Sequence, residues 1–314
     1  MRLLFSFFLF SFFLKAGIYN IDMTPPLQNN DYMGIRILDQ KQLSFDKIQG
    51  VKFSGLSDLT YDTKTDILYL LSDKGALFAF NAHFSNTIDM LVPLSSSQLK
   101  NKKGKVLRKW KRDSEGLTLD GKNRLLISFE GEAKIEWFHK NSKKYGCMIR
   151  NYRLPKKLQK TENYRSKNKS LESLAWHRKY GILTATEWPL EKNDKKQHTV
   201  YALSGKEWHF KAEPERKSSV VAMEVMDDGN LLVIERSYTG LMNPFIITLK
   251  KVYIKNSKTK MCKTKILAKM NNHRGWDIDN FEGLAKVGKN RYVMISDDND
   301  NFFQKTLLIY FEVL

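Results

Sequence analysis

Apolar residues occur along this chain in short runs separated by turn residues, a pattern typical of antiparallel β-strands. Three such runs are Arg-Leu-Leu-Ile-Ser-Phe from Arg124, Asn-Leu-Leu-Val-Ile from Asn230 and Arg-Tyr-Val-Met-Ile-Ser from Arg291. Asp120-Gly121 and Asp228-Gly229 precede the first two runs and suit tight turns, because these residues tolerate a positive φ. No segment shows convincing helical periodicity, so the pattern predicts an all-β protein.

The hairpins repeat five times, each with an apolar anchor, a strand, a turn and a second strand that ends near an acid. The aligned anchors are Leu56, Leu117, Leu174, Met223 and Leu284, at spacings of 61, 57, 49 and 61 residues. Repeats of about this length with four strands each are typical of β-propeller blades. The spacing favours five blades, and six remains open if one interval contains a blade without the motif. Residues 34–38 and 306–313 are predicted to share one blade and so close the ring.

Acidic residues lie at equivalent positions of these hairpins. The start of the first strand and the end of the second lie at the same end of an antiparallel hairpin, with Val221 expected opposite Glu235. This places one set of acids at one mouth of the propeller channel: Asp73, Glu130, Glu187, Glu235 and Asp297. A second set is predicted two residues inside, on the neighbouring strand: Glu115, Glu172 and Glu282. Like charges this close raise one another's pKa unless a positive charge intervenes.

Three explanations of the acidic ring stay open. The acids could form structural ion pairs with lysines and arginines, or act as general acid and base around a substrate. They could also bind a hard cation, for which Ca²⁺ is the candidate because oxygen ligands without nearby His or Cys suit it. The candidate metal ligands are the first set of acids together with Asn299, in the loop 297–301. The candidate catalytic residues are Glu115, Glu172, Glu282 and Arg236.

The chain is strongly basic, with 53 Lys and Arg against 34 Asp and Glu and a net charge of +19. This charge predicts an anionic partner. Basic runs at residues 98–112 and 156–169 each precede an acidic strand, so both should overhang the mouth, where Arg236 is best placed to contact a substrate. A small anionic substrate, such as a phosphorylated one, fits this arrangement, and an anionic envelope surface is a further candidate partner. No motif for nucleic-acid binding is present, and the protein is expected to be a monomer.

Residues 1–16 have the pattern of a secretory signal, with Arg2 followed by an apolar run over residues 3–14 that is too short to span a bilayer. We therefore expect a secreted or periplasmic protein with a single propeller domain over residues 17–314. An uncleaved membrane anchor is the alternative. Under secretion, Cys147 and Cys262 could form a disulfide or stay as two buried thiols.

Several motifs occur in a recognisable order. They are Asp-x-Glu-Gly-Leu from Asp113, Ile-Ser-Phe-Glu-Gly from Ile127, Glu-Ser-Leu-Ala from Glu172, Leu-Leu-Val-Ile-Glu-Arg from Leu231, and Asn-Phe-Glu-Gly-Leu from Asn280 with Ile-Ser-Asp-Asp-Asn after it. Over about residues 50–314 the chain resembles the phytase-like secreted proteins described as having esterase-like activity of phytase. The resemblance implies a secreted propeller and a phosphoester or ester hydrolase. The chain departs from the pattern at Ser54 and Val221, where acids would be expected.

Two functions are compatible with these features. The first is a metal-assisted hydrolase of a phosphorylated or other anionic ester at the acidic mouth. No Gly-x-Ser-x-Gly elbow occurs, so a conventional serine esterase is not expected. The alternative is a non-catalytic propeller that binds an anionic ligand or an envelope partner.

Overall fold

A computed structural model describes residues 16–140, 143–166, 168–240, 242–255, 261–301 and 303–314. The predicted signal segment, apart from Ala16, lies outside the described residues. The regular secondary structure of the described residues consists of β-strands and of short 3₁₀ turns at Lys109–Lys111, Lys156–Leu158, Thr161–Asn163 and Asn272–Arg274. Within the described ranges, no helix has the length and apolar character needed to cross a membrane.

The strands are numbered in chain order. Strands β1–β5 are Gly17–Asn20, Asp31–Tyr32, Ile35–Ser44, Lys47–Ile48 and Val51–Lys52. Strands β6–β9 are Leu56–Asp62, Ile67–Ser72, Ala76–Phe84 and Ile88–Gln98. Strands β10–β13 are Ser114–Leu119, Leu125–Phe129, Lys134–Phe138 and Met148–Tyr152. Strands β14–β17 are Leu171–His177, Gly181–Thr186, Gln197–Ala202 and Glu207–Lys211. Strands β18–β21 are Ser219–Val225, Leu231–Ser237, Ile246–Val252 and Thr264–Asn271. Strands β22–β24 are Asn280–Gly288, Arg291–Asp297 and Leu307–Val313.

These strands form a five-bladed β-propeller. Blades one to four are the antiparallel sheets β6–β9, β10–β13, β14–β17 and β18–β21. Blade five combines β22, β23 and β24 with β3 and β1 from the other end of the chain. Strand β24 pairs with β3 from Leu307 opposite Gln42 to Val313 opposite Ile35. The predicted all-β propeller and its closure by the two ends of the chain are confirmed, and the blade count is five.

Apolar contacts between neighbouring blades explain why the middle strands are apolar at consecutive positions. Strand β11 is buried at all five positions, because each blade packs against a neighbour on both faces. A core cluster between blades four and five, for example, joins Leu232 and Ile247 to Phe281 and Tyr292. Cys147 and Cys262 do not form a disulfide in the structure.

The innermost strands, β6, β10, β14, β18 and β22, contact one another around the central axis. Two glycines permit this close approach. A Cβ at Gly116 would lie 2.7 Å from the backbone nitrogen of Leu174, and a Cβ at Gly283 would lie 2.8 Å from the Cα of Asp58. Neither position therefore has room for a side chain.

Asp58 connects three inner strands through hydrogen bonds. Its buried carboxylate accepts hydrogen bonds from the backbone N–H groups of Leu59 at 2.8 Å, Leu117 at 2.6 Å and Leu284 at 3.1 Å. Three blades therefore share one acceptor, and the inner strands of blades one, two and five are held in register at this point.

Every inner strand also contains a β-bulge, an extra residue opposite one residue of the partner strand. The residues at these bulges are Ser57, Glu115, Glu172, Val221 and Glu282. A bulge changes the direction in which a side chain points and interrupts strict alternation. The bulges therefore determine which side chains of each blade face the channel.

The alignment of Leu56 with the anchors of the other blades is wrong by three residues. Leu56 pairs with Ser72 just as Ser114 pairs with Phe129, so Leu59 is the structural equivalent of Leu117. Both leucines lie in the segment Gly-Leu-Ser-Asp-Leu, and the apolar pattern alone does not distinguish them. The bulge residue of blade one is consequently Ser57 rather than Ser54.

Candidate functional site: an acidic channel mouth

Two tiers of side chains surround one end of the channel. The bulge residues form the first tier. The second tier has one residue from each blade, near the end of the blade's second strand and opposite the start of its inner strand. These residues are Asp73, Glu130, Glu187, Arg236 and Asp297. We call the carboxylates of both tiers, together with Asp113, the acidic mouth. Its members are Asp73, Asp113, Glu115, Glu130, Glu172, Glu187, Glu282 and Asp297.

In blade four, Arg236 occupies the second tier. Glu235 does not line the mouth, contrary to the prediction. Glu235 pairs with Val220, and Arg236 pairs with Ser219, whereas the sequence placed Val221 opposite Glu235. The bulge at Val221 accounts for the difference, because it adds one residue to β18. Adjacent strand residues point to opposite faces, so Arg236 faces the channel and Glu235 faces the neighbouring blade.

Glu235 lies in a buried network between blades three and four, where it and Lys250 are each 1% exposed. Its carboxylate forms an ion pair with Lys250 and accepts hydrogen bonds from the Glu213 backbone N–H and the Ser218 hydroxyl, each at 2.8 Å. Burial opposes the negative charge, but His198 and Lys250 outweigh it and lower the pKa of Glu235 to about 2. Glu235 is thus a structural acid that supports the strand presenting Arg236.

Carboxylates of the mouth approach one another closely enough to bind a cation together. Asp113, Glu115 and Glu130 offer oxygen atoms within 4.8 Å of one another, and so do Glu130, Glu172 and Glu187. Glu130 belongs to both groups. Oxygen-only ligand sets of this kind are typical of Ca²⁺ and Mg²⁺ sites.

Glu115 and Glu172 are the two carboxylates of the mouth for which the described part of the chain supplies no partner. They are 9% and 7% exposed, and within the described ranges neither side chain forms a hydrogen bond or an ion pair. Burial, followed by the charges of neighbouring glutamates, raises the pKa of both well above the usual range. Buried acids without partners are costly unless a proton or a cation neutralises them.

The electrostatic repulsion within one group of carboxylates is comparable in size to the free energy of unfolding of a protein. Two unit charges 4.8 Å apart repel by about 3 kcal/mol at an effective dielectric constant of about 20. A fully ionised group of three carboxylates would therefore cost about 10 kcal/mol, close to the total stability of about 5–15 kcal/mol that is typical of a folded protein. Both groups together cannot stay ionised without added positive charge.

Arg236 and Lys169 supply part of that charge. Arg236 forms ion pairs with Glu282 and, at 3.1 Å, with Glu187, and it donates a hydrogen bond of 2.6 Å to Asn280. Burial opposes its charge, but Glu282 and Glu187 outweigh this effect and raise its pKa. Lys169 forms an ion pair with Glu187. Together with Lys74, which pairs with Asp73, these partly buried cations are fewer than the eight carboxylates of the mouth, so acid is in excess among the described residues.

The remaining predicted ligands lie at the margin of the mouth. Burial, followed by the charge of Glu282, raises the pKa of Asp297 to about 9, and Asp297 accepts a hydrogen bond of 2.7 Å from the Asn299 backbone N–H. The side-chain amide of Asn299 donates to Gln304 at 3.1 Å. Asp73 lies 3.7 Å from the amino group of Lys74, and burial raises its pKa.

Comparison with known proteins gives a family. A model of phytase-like proteins, described as having esterase-like activity of phytase, matches residues 51–300. The chain belongs to this family. A search of curated proteins finds no match.

Solved structures show weaker similarities to this phytase-like protein. The PQQ-bound aldose sugar dehydrogenase from Streptomyces coelicolor has 9% identity and a TM-score of 0.47, with 93% of this chain and 100% of that chain covered. Virginiamycin B lyase from Staphylococcus aureus has 10% identity and a TM-score of 0.40, with coverage of 96% and 99%. A luciferin-regenerating enzyme has 12% identity and a TM-score of 0.43, with coverage of 83% and 92%. At this level of similarity, the activities named for those proteins are not assigned to this chain.

Three residues at the mouth of this phytase-like protein were not among the predicted site residues. Asp113 stands in the Asp-x-Glu-Gly motif and is expected opposite Glu130, a signal that could have revealed its place in the cation-binding group. Lys169 ends the second basic run, which therefore reaches the mouth. Asn280 orients Glu282 by a 3.0 Å hydrogen bond, and only the folded register shows this contact.

The metal-free phytase-like protein is expected to lose stability as the pH rises. Burial and the charge of Glu187 raise the pKa of Glu130 from 4.5 to about 8, and burial and Glu282 raise that of Asp297 from 3.8 to about 9. Between the unfolded and folded pKa values, the folded state holds more protons, so its stability falls with increasing pH. Thermal unfolding with a chelator from pH 5 to 9 should give a decreasing melting temperature, and a constant or increasing one would contradict the buried repulsion.

Proposed function

We propose that the protein is a secreted, cation-dependent hydrolase of phosphorylated or other anionic esters, and that the reaction takes place at the acidic mouth. The observation that carries this proposal is the pair of buried carboxylates, Glu115 and Glu172, without partners among the described residues. Membership of the phytase-like family supports the same reaction class. Ca²⁺ is the proposed ion.

The ligands suit this ion in chemistry and in position. Glu115 with Asp113, and Glu172 with Glu187, would supply carboxylate oxygens on either side of Glu130. All of these atoms are hard oxygen donors, and neither group contains a histidine or a cysteine. Secretion would expose the site to a calcium-rich medium, where even weak sites of extracellular modules are filled.

Water is the proposed nucleophile, because three serines near the mouth already donate hydrogen bonds to the backbone. The hydroxyl groups of Ser57, Ser72 and Ser114 each donate a hydrogen bond of 2.7–2.8 Å to a backbone carbonyl. His198 lies beside Glu235, between the blades, and could not activate a serine of the mouth. When bound, a divalent cation polarises an ester group and lowers the pKa of a coordinated water.

Arg236 is proposed to bind the substrate anion. A guanidinium has five N–H donors, and Asn280, Glu282 and Glu187 account for three donated hydrogen bonds. The remaining donors can meet negatively charged ester oxygens. Glu282 and Asn280 would hold the guanidinium in place, so that Glu282 acts on the substrate through Arg236.

The test is turnover of an ester panel by the full chain. Phosphate monoesters, phosphate diesters and carboxylate esters should be assayed with Ca²⁺, Mg²⁺ or Mn²⁺, and again after chelation. We expect hydrolysis of at least one anionic ester with a divalent ion, and its loss on chelation. If no ester is hydrolysed under any of these conditions, the protein is a binder rather than an enzyme.

A further inference from the structure

A separate cavity of about 620 Å³ opens beside the acidic mouth, between blades three and four. Pocket volumes of about 300–1,000 Å³ are typical of small-molecule sites. Residues on two loops line it, one after β15 and one between β17 and β18. The lining residues used below are Trp188, Pro189, Pro214, Lys195, Lys196 and Lys217.

The cavity combines flat apolar surfaces with excess positive charge. Trp188, Pro189 and Pro214 supply the apolar part. The acids of its wall form ion pairs with lysines of blade four. Glu213 pairs with Lys250 at 2.7 Å and with Lys269 at 3.2 Å, and Glu215 pairs with Lys269 at 2.5 Å.

The lysines of the cavity differ from these paired groups. Within the described ranges, no carboxylate forms an ion pair with Lys195, Lys196 or Lys217, and all three are exposed. The cavity therefore presents uncompensated positive charge beside an aromatic ring. This is the reverse of the mouth, where acid is in excess.

Contacts at Lys169 connect the cavity to the mouth. Trp188 directly follows Glu187 in the chain. The amino group of Lys169 forms an ion pair with Glu187 and lies 5.7 Å from the centroid of the Trp188 ring. Arg165 fixes the loop that carries Trp188, because its guanidinium donates to the carbonyls of Pro189 at 2.9 Å and Asn193 at 2.7 Å. A ligand in the mouth could therefore extend over Trp188 without a change in the loop.

We infer that this cavity binds the non-reacting part of the substrate, and that this part is an aromatic group carrying its own negative charge. The inference rests on the proposed function where it names a substrate. The binding of an aromatic anion in the cavity does not depend on that function. The ring would stack on Trp188, and its anionic group would meet Lys195 and Lys196. Stacking on an aromatic ring and contact with exposed cations each contribute modestly, so both parts are needed for selective binding.

The test uses phenylphosphonate, an aryl anion without an ester bond, and methylphosphonate, which lacks the ring. Binding should be measured by calorimetry on the chelated full chain, in the wild type and in a Lys195→Gln, Lys196→Gln double variant. Phenylphosphonate should bind the wild type about tenfold more tightly than methylphosphonate, and the double variant should lose about tenfold in affinity for phenylphosphonate. A Lys263→Gln, Lys265→Gln variant, in which two exposed lysines outside both basic runs are changed, is the matched control.

Equal affinities for the two phosphonates, or an unchanged affinity in the Lys195, Lys196 double variant, would overturn the inference. Replacing Trp188 with Leu gives a second test, because it removes the ring and keeps an apolar side chain. It should reduce the preference for phenylphosphonate over methylphosphonate. Failure of the proposed function has a different signature: the phosphonate selectivity would persist in a protein that hydrolyses no ester.

Discussion

Replacing Glu172 with Gln is expected to weaken Ca²⁺ binding at least about 100-fold and to reduce ester turnover accordingly. Loss of a residue that only orients a metal ligand costs about 10–100-fold, and Glu172 is proposed as a ligand itself. The substitution keeps the shape of the side chain and removes its charge. Calorimetric titration with Ca²⁺ measures the first effect, and initial rates at a Ca²⁺ concentration just sufficient to saturate the wild type measure the second.

The same variant has a second expected effect, of opposite sign. Without metal, Glu172→Gln removes one of the charges that repel Glu187 and Glu130. The chelated variant should therefore unfold at a higher temperature than the chelated wild type at pH 8. Glu136→Gln is the control, since Glu136 is also a buried glutamate but lies in blade two next to Lys134. Wild-type Ca²⁺ affinity in the Glu172 variant would show that the ligands lie elsewhere.

Replacing Lys250 with Met is expected to destabilise the protein by about 3–5 kcal/mol, the usual cost of removing one partner of a buried ion pair. Lys250 pairs with both Glu235 and Glu213, and the substitution would leave these carboxylates without their buried cation. Equilibrium unfolding in urea measures the loss. Lys251→Met is the matched control, because the next residue on β20 pairs with the partly exposed Asp228 and should cost about 0–1 kcal/mol.

A double variant separates the ion pair from packing. Adding Glu235→Gln to Lys250→Met removes the stranded charge, so part of the lost stability should return. If Lys250→Met alone matches Lys251→Met, the network between blades three and four does not stabilise the fold. In that case Glu235 would not support the strand that presents Arg236 to the channel.

The propeller and its closure by the two ends of the chain could be predicted, with five or six blades, because they follow from the repeat of strands and turns. Each hairpin carries its own apolar pattern and turn residues, and these signals are local. The hairpin repeat also predicted that acids of neighbouring blades would lie near one another at one mouth, and the structure brings acids of blades two and three together. Glu130, Glu172 and Glu187 offer oxygen atoms within 4.8 Å of one another in the structure.

The register of blades one and four could not be predicted from the same signals. A bulge adds one residue to each inner strand, and neither the apolar pattern nor the turn length shows where it lies. In blade four, the bulge directs Arg236 toward the channel instead of the adjacent Glu235. The contacts of Lys169 and Asn280 depend on how neighbouring blades and strands pack, which a single hairpin does not encode.

The most direct test of the cation site is anomalous diffraction from crystals grown with Ca²⁺ or soaked with Mn²⁺. We expect an ion among Glu130, Glu172 and Glu187, with carboxylate oxygens at about 2.3–2.6 Å from Ca²⁺. The ion should also disappear from crystals of the Glu172→Gln variant. Carboxylates that contact one another directly, with no anomalous signal at millimolar metal, would contradict a cation site at the acidic mouth.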